Sequence, residues 1–177
     1  ICSLVLEVDE WGQIQILKMM DRYCRLHFTN PSSSVHTNHS EEQQISGDPV
    51  IGVNQKDADY ELFQESCRQL LASKNPLIVM MASRISYDQP LDNPTRHLAA
   101  RSLIRCLSRP KQEQHMLLVA IKSLIIIDPS PWFKHITSFA VYPTEIDEIK
   151  ILKLDILVLL STEANTNWIV PELKVRT

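Results

Sequence analysis

The run EIDEIKILKLDILVLLSTEA, beginning at Glu145, limits the possible folds more than any other part of the chain. At 100° per residue, Ile149, Leu152, Ile156, Leu159 and Leu160 line one apolar stripe, and Ile151, Leu154 and Val158 line a second. Glu148 and Asp155 form an acidic seam on one side, Lys150 and Lys153 a basic seam on the other. A surface helix has one apolar stripe to hide. Two stripes need two covers, so this spacing predicts a helix from Glu145 to Glu163 in the middle of a stack.

Other segments repeat the pattern. Trp11 to Phe28 reads as a helix whose apolar arc (Ile16, Leu17, Met19, Met20, Tyr23, Cys24, Leu26, Phe28) is broad enough for two neighbours. Helix resumes near Asp59 through YELFQESCRQLLA, and then prolines punctuate the chain. Asn75-Pro76, Asn93-Pro94 and Ser130-Pro131 each set a capping side chain before a proline at the first helical position, where its missing N–H costs nothing. Arg109-Pro110 marks another break, and Thr144 with Asp147 resembles a capping box. LIVMMASRIS, RHLAARSLIRCLS, QEQHMLLVAIKSLIII and WFKHITSF all read as helix. Residues 30–57 lose the period and gather Ser, Asn, Asp, Gly and Pro, which predicts a long flexible polar loop. Helix pairs recur about every 35 residues, the signature of a repeat stack. The expected fold class is all-α: one domain over 1–177, an α-solenoid of stacked HEAT/armadillo-like helix pairs over 1–29 and 58–177, joined by the 30–57 loop.

Composition excludes several functions. With 44% hydrophobic and 22% charged residues, the chain can build a core. Three glycines against ten prolines argue against phosphate-cradling loops and a turn-rich β fold. A net charge of −3 disfavours nucleic acid as a partner. Cys2, Cys24, Cys67 and Cys106 include no Cys-x-x-Cys pair and read as reduced, mostly buried thiols of a cytosolic protein. Lys122 splits the best apolar run, MLLVAIKSLIII, well short of a membrane span. The chain opens on Ile1 inside an apolar pattern, ICSLVLEV, so a piece of a longer protein is expected.

No residues carry the spacing of an active site, and no enzyme, cofactor or metal is expected. His36 and His39 with Glu41 and Glu42 lie in the polar loop without a shell to fix a coordination geometry. His27 follows Cys24 on a mostly apolar helix and reads as an edge residue. Ser32, Ser33 and Ser34 form a serine run of the kind that is phosphorylated or merely solvated. The candidate partner-contact ridge is basic. Arg101, Arg105 and Arg109 recur every four residues, and Lys111, His115 and Lys122 line the next helix. Such a ridge suits an anionic headgroup or an acidic partner; it suits a solvated outer face equally well. Trp11 falls over the polar arc of its own helix, a position expected to be covered by an adjacent helix pair, with an external partner as the alternative.

Four stretches then resemble one family. EVDEWGQIQILKMMDRY from Glu7, LLASKNPLIVMMAS from Leu70, LSRPKQEQHMLLVAI from Leu107 and IKILKLDILVLLSTEAN from Ile149 stand in the order found in the β-adaptins. MMDRYCRLHFTNP and the polar insertion after it are most similar to the β subunit of the type-three adaptor protein complex. Departures are YDQPLDNP, YPTEID and Pro171 inside an expected helix. The resemblance implies part of an adaptin trunk in a heterotetramer with a second large, a medium and a small subunit. A small GTPase would recruit that complex, as a cytoplasmic peripheral coat, to Golgi or endosomal membranes for cargo sorting toward lysosome- or vacuole-type organelles. The alternative is another helical-repeat carrier such as a nuclear-import receptor. The Trp-Asn ladder of those receptors is missing, since Gln15, Ile136 and Glu172 stand four residues after Trp11, Trp132 and Trp168.

Overall fold

A computed structural model describes residues 2, 4–27, 58–88, 93–108 and 113–176. Among these there is no strand. A 3-10 turn at Leu4–Leu6 leads into α1 (Glu10–His27), α2 (Ala58–Leu70), α3 (Pro76–Asp88), α4 (Asn93–Leu107) and α5 (Gln114–Ile127). A ten-residue 3-10 helix (Ser130–Phe139), α6 (Asp147–Leu159) and α7 (Thr166–Arg176) follow. The expected loop at 30–57 lies outside the described residues.

Local chemistry fixes where the helices begin. Before α1, the Asp9 carboxylate accepts the Gly12 N–H at 3.1 Å, a side-chain cap on an otherwise orphaned donor. A Cβ at position 12 would stand 2.8 Å from that carboxylate oxygen, so glycine after Trp11 leaves room for the cap. Before α3, Asn75 caps as its sequence position suggests, accepting the Leu77 N–H at 2.9 Å. Two of the other expected caps, at Ser130 and Thr144, differ from expectation. Asp128, rather than Ser130, starts the 3-10 helix, accepting the Ser130 N–H at 3.0 Å. Thr144 forms no capping box, since Ile146 is the N-cap of α6 and no side chain bonds there.

The helices form two rows. Helices α1, α3, α5 and α6 pack each on the next, while α2 packs on α3, α4 on α3 and α5, and the 3-10 helix on α4 and α6. Fully buried Ala82, Ala99 and Ala100 let α3 and α4 approach closely. Leu71, Ile78, Leu103, Leu117, Leu118, Ile121, Trp132, Phe139, Ile156 and Leu157 join them in one continuous core. WFKHITSF is thus helical, yet wound as 3-10 rather than α. At ~2.0 Å rise per residue, ten residues reach about 20 Å. That nearly matches the roughly 22 Å of the α4 it lies against. The tighter winding therefore lets a short segment fill a full layer.

Polar bonds repeat with the layers. Arg105 donates to the carbonyls of Leu71 and Ser73, Arg96 to Asp128, and Lys122 to Asp155, at sequence separations of 34, 32, 32 and 33. Arg68 also donates to Thr95, joining α2 to α4 at 3.0 Å. Each bond ties one helix pair to the next, so the period expected from the sequence reappears in its side-chain contacts.

Two expectations about covered faces need correction. On α6 the first stripe is largely buried, with Ile156 and Leu160 fully so, but Ile151 and Val158 of the second stand 59% and 57% exposed. No described helix covers them. Trp11 is likewise not under an adjacent pair: its indole is 73% exposed. The basic seam on α6 is also half wrong. Lys150 reaches Asp147 at the surface, whereas Lys153 is 3% exposed and bonded to Glu145 and the Ala140 carbonyl. Its ammonium lies 5.3 Å from the Tyr142 ring centroid. Glu145 also accepts the Tyr142 N–H, so one buried ion pair holds the 140–146 loop against α6. Pro171 is accommodated inside α7.

Urea melts of the chain should separate the tryptophans. Trp132→Ala empties a fully buried site and should cost ~3–5 kcal/mol. Trp11→Ala should stay within about 0.5 kcal/mol, and equal losses would contradict the two-row packing. Glu145→Gln strands the buried Lys153 ammonium and should cost ~3–5 kcal/mol. Adding Lys153→Met should recover most of that loss; a double variant no more stable than the single would show that the ion pair does not fix the loop.

Candidate functional site

The basic ridge is dispersed by the fold. Arg105 satisfies carbonyls that the C-terminal end of α2 leaves unpaired, with Nη2 at 2.8 and 3.0 Å from the Leu71 and Ser73 oxygens. Lys122 is ion-paired to Asp155 at 2.7 Å between α5 and α6. Arg109 and Lys111 lie outside the described residues. His115 is exposed on α5, and Arg101 is exposed on α4.

Arg101 has company that the linear sequence hides. His97 stands one turn before it, also exposed, and α4 packs on the 3-10 helix that carries Lys134 and His135. Burial is the first cause that holds the His135 imidazole below its ordinary pKa; Arg101, His97 and Lys134 push the same way. The fixed charges among these neighbours, Arg101 and Lys134, are both cationic. A reading by helical period finds His97 and Arg101 as neighbours on one face. It has no means of adding Lys134 and His135, which arrive through a tertiary contact.

A second polar cluster is structural. Arg96 donates to Asp128 at 3.2 Å and its guanidinium lies 5.7 Å from the Tyr87 ring centroid. Burial raises the Asp128 carboxyl, but bonds from Ser130 and Arg96 outweigh it and hold the group below the usual carboxylate range. Burial, above all, drives the Tyr87 phenol well upward. These groups join α3, α4 and the 3-10 helix. They present no reactive atom to solvent.

The thiols are similarly withdrawn. Cys24, Cys67 and Cys106 are buried and free, and Cys2 is partly buried. Burial, helped by Asp21 and Cys2, pushes Cys24 up to about 11, and burial raises Cys67 further, so neither is a ready thiolate. Near the starts of α1, α3 and α5 lies a shallow, open cleft of about 390 Å³ lined by Glu10, Lys74, Asn75, Pro76, Leu77, Glu113 and Met116. Within it Asn75 donates to Glu10 at 2.6 Å, and the lining brings no nucleophile to a base. Among the described residues no group of three His, Cys, Asp or Glu side chains is placed to hold a metal, and no helix is long and apolar enough to cross a membrane. What this arrangement offers is surface, held by layers.

Residues 1–175 match the family model for the adaptin N-terminal region. The chain belongs to the adaptin N-terminal family. It is 29% identical over 181 residues to the AP-3 complex subunit beta-1 of Bos taurus, an alignment covering 97% of this chain and 17% of that protein. It is 25% identical to the AP-3 complex subunit beta of Saccharomyces cerevisiae, covering 98% of this chain and 23% of the relative. A homology model of the full-length AP-3 complex in an intermediate open conformation superposes with a TM-score of 0.71 at 25% identity, covering 98% of this chain and 30% of its counterpart. The adaptin chain therefore spans less than a quarter of the length of these two curated relatives. The β-adaptin resemblance and the all-α solenoid trunk both hold.

The sign of the His135 shift sets a pH dependence. Its folded pKa lies below the ordinary 6.5, so the unfolded chain binds the proton more readily and stability falls as pH drops through and below that value. His135→Gln should remove this part of the slope in urea midpoints taken on either side of pH 6.5. Identical slopes for the two proteins would contradict the lowered His135 pKa and the burial that chiefly causes it.

Proposed function

We propose that this chain is a scaffold segment of the large β subunit of a heterotetrameric adaptor complex, acting in vesicle-mediated sorting of cargo from Golgi or endosomal membranes toward lysosome- or vacuole-type organelles. Alignment with AP-3 beta subunits across nearly the whole chain is the observation that carries this reading. The physical form suits it. Helices packed side by side in two rows resist bending locally and expose a long surface for other subunits. The second large, the medium and the small chain would grip that surface, and association with the membrane would be peripheral, through the complex and a small GTPase in the cytoplasm.

Within that reading, Arg101, Arg105, Arg109, Lys111 and Lys122 are the proposed partner-contact residues. Arg101 is the best placed of them, since Arg105 and Lys122 already spend donors inside the chain. Chemistry is not the proposed role: an adaptin trunk works by holding partners. Affinity purification of the full-length protein from its own cells should bring down medium, small and second large adaptor chains together. Purification without any of them, and with import cargo instead, would overturn the adaptor reading in favour of a nuclear-import carrier.

A further inference from the structure

The surface where α4 meets the 3-10 helix concentrates positive charge in a chain that has more acids than bases, 21 against 18. His97 and Arg101 lie one turn apart on α4; Lys134 and His135 are adjacent on the 3-10 helix packed against it. Several other arginines and lysines between neighbouring layers find carboxylates, as Arg25 does with Asp88, Arg96 with Asp128 and Lys122 with Asp155. Among the described residues no side-chain hydrogen bond or ion pair engages His97, Arg101, Lys134 or His135. Leu98 and Phe133, next in sequence to His97 and Lys134, are each 40% exposed. The Arg101 and Lys134 charges, set beside uncovered apolar groups, oppose one another in the free chain and are relieved when an anion arrives.

We propose that His97, Arg101, Lys134 and His135, flanked by Leu98 and Phe133, form a docking site for an acidic segment of a partner protein, with carboxylates on the Arg101 and Lys134 charges, imidazole N–H groups donating beside them, and an apolar side chain against Leu98 or Phe133. Charge complementarity identifies the occupant. A guanidinium takes a carboxylate as a paired, charge-assisted bond at short range. An anionic membrane is the poorer fit: polybasic lipid-binding surfaces gather roughly 4–8 Lys or Arg. Here two such side chains are backed by imidazoles in a molecule of net charge −3. The inference does not depend on the adaptor reading, because it concerns which surface takes an acidic segment, whatever assembly the chain serves.

The test uses the full-length protein and a fluorescein-labelled peptide, Glu-Glu-Phe-Glu-Glu, read by anisotropy, with Gln-Gln-Phe-Gln-Gln as the uncharged control. The acidic peptide should bind, bind more weakly as salt rises, and lose about tenfold or more in affinity in the Arg101→Glu, Lys134→Glu double variant. Lys18→Glu, an exposed charge on α1, should leave binding unchanged. The double variant must keep the parent's melting temperature. Should it not, Arg101→Gln with Lys134→Gln takes its place, and the same loss is expected. Equal binding by the variant, equal binding of the uncharged peptide, or no binding overturns the proposal. So does capture by mixed phosphatidylcholine–phosphatidylserine vesicles that the double variant loses while the peptide goes unbound.

Discussion

A helix that is apolar on two sides can bury both only between two neighbours. Most features of this chain follow from that constraint. Burying the faces of α3 and α5 demands a row, and the row demands a second row behind it to cover the remaining apolar groups. The short connections then carry the signals that turn the chain: the Asn75 cap, the Asp128 cap and the Lys153–Glu145 ion pair. Hydrophobic burial fixes which faces meet but is indifferent to sliding along a helix axis. Polar bonds at separations of 32–34 residues supply the register that burial lacks.

This division of labour explains why the molecule offers surfaces in place of a pocket. Side-chain donors that could have lined a cleft are used to join layers. Arg105 is the plainest case, an arginine in a regular exposed series whose guanidinium is committed to the end of the preceding helix pair. Arg101, one turn earlier, has no such commitment, and difference of neighbours rather than of residue type separates the two roles.

The sequence made the helices, their period and the adaptin family legible, because apolar spacing and proline placement are local and strongly patterned. It misled wherever a residue's role depends on what another segment brings. Trp11 looked like a residue in need of cover, yet stands in solvent within this chain. Lys153 looked like part of a surface seam, because a lysine three residues after Lys150 on a helix usually is; the loop carrying Glu145 folds back and buries it. WFKHITSF has apolar spacing that fits either winding, and its 3-10 form follows from the span it must cover beside α4. Of the cluster around His135 the sequence reading named only Arg101, because Lys134 and His135 are brought to it by packing.

If neighbours supply the stability, then position in the row sets local stability. Native-state hydrogen exchange reads this directly, residue by residue. The most protected amides should lie in α3, α4 and α5, which have packed helices on either side, with protection declining outward to α1 and α7. Protection in α1 or α7 equal to that of α3 would mean that each helix holds itself, and the layered account would fail.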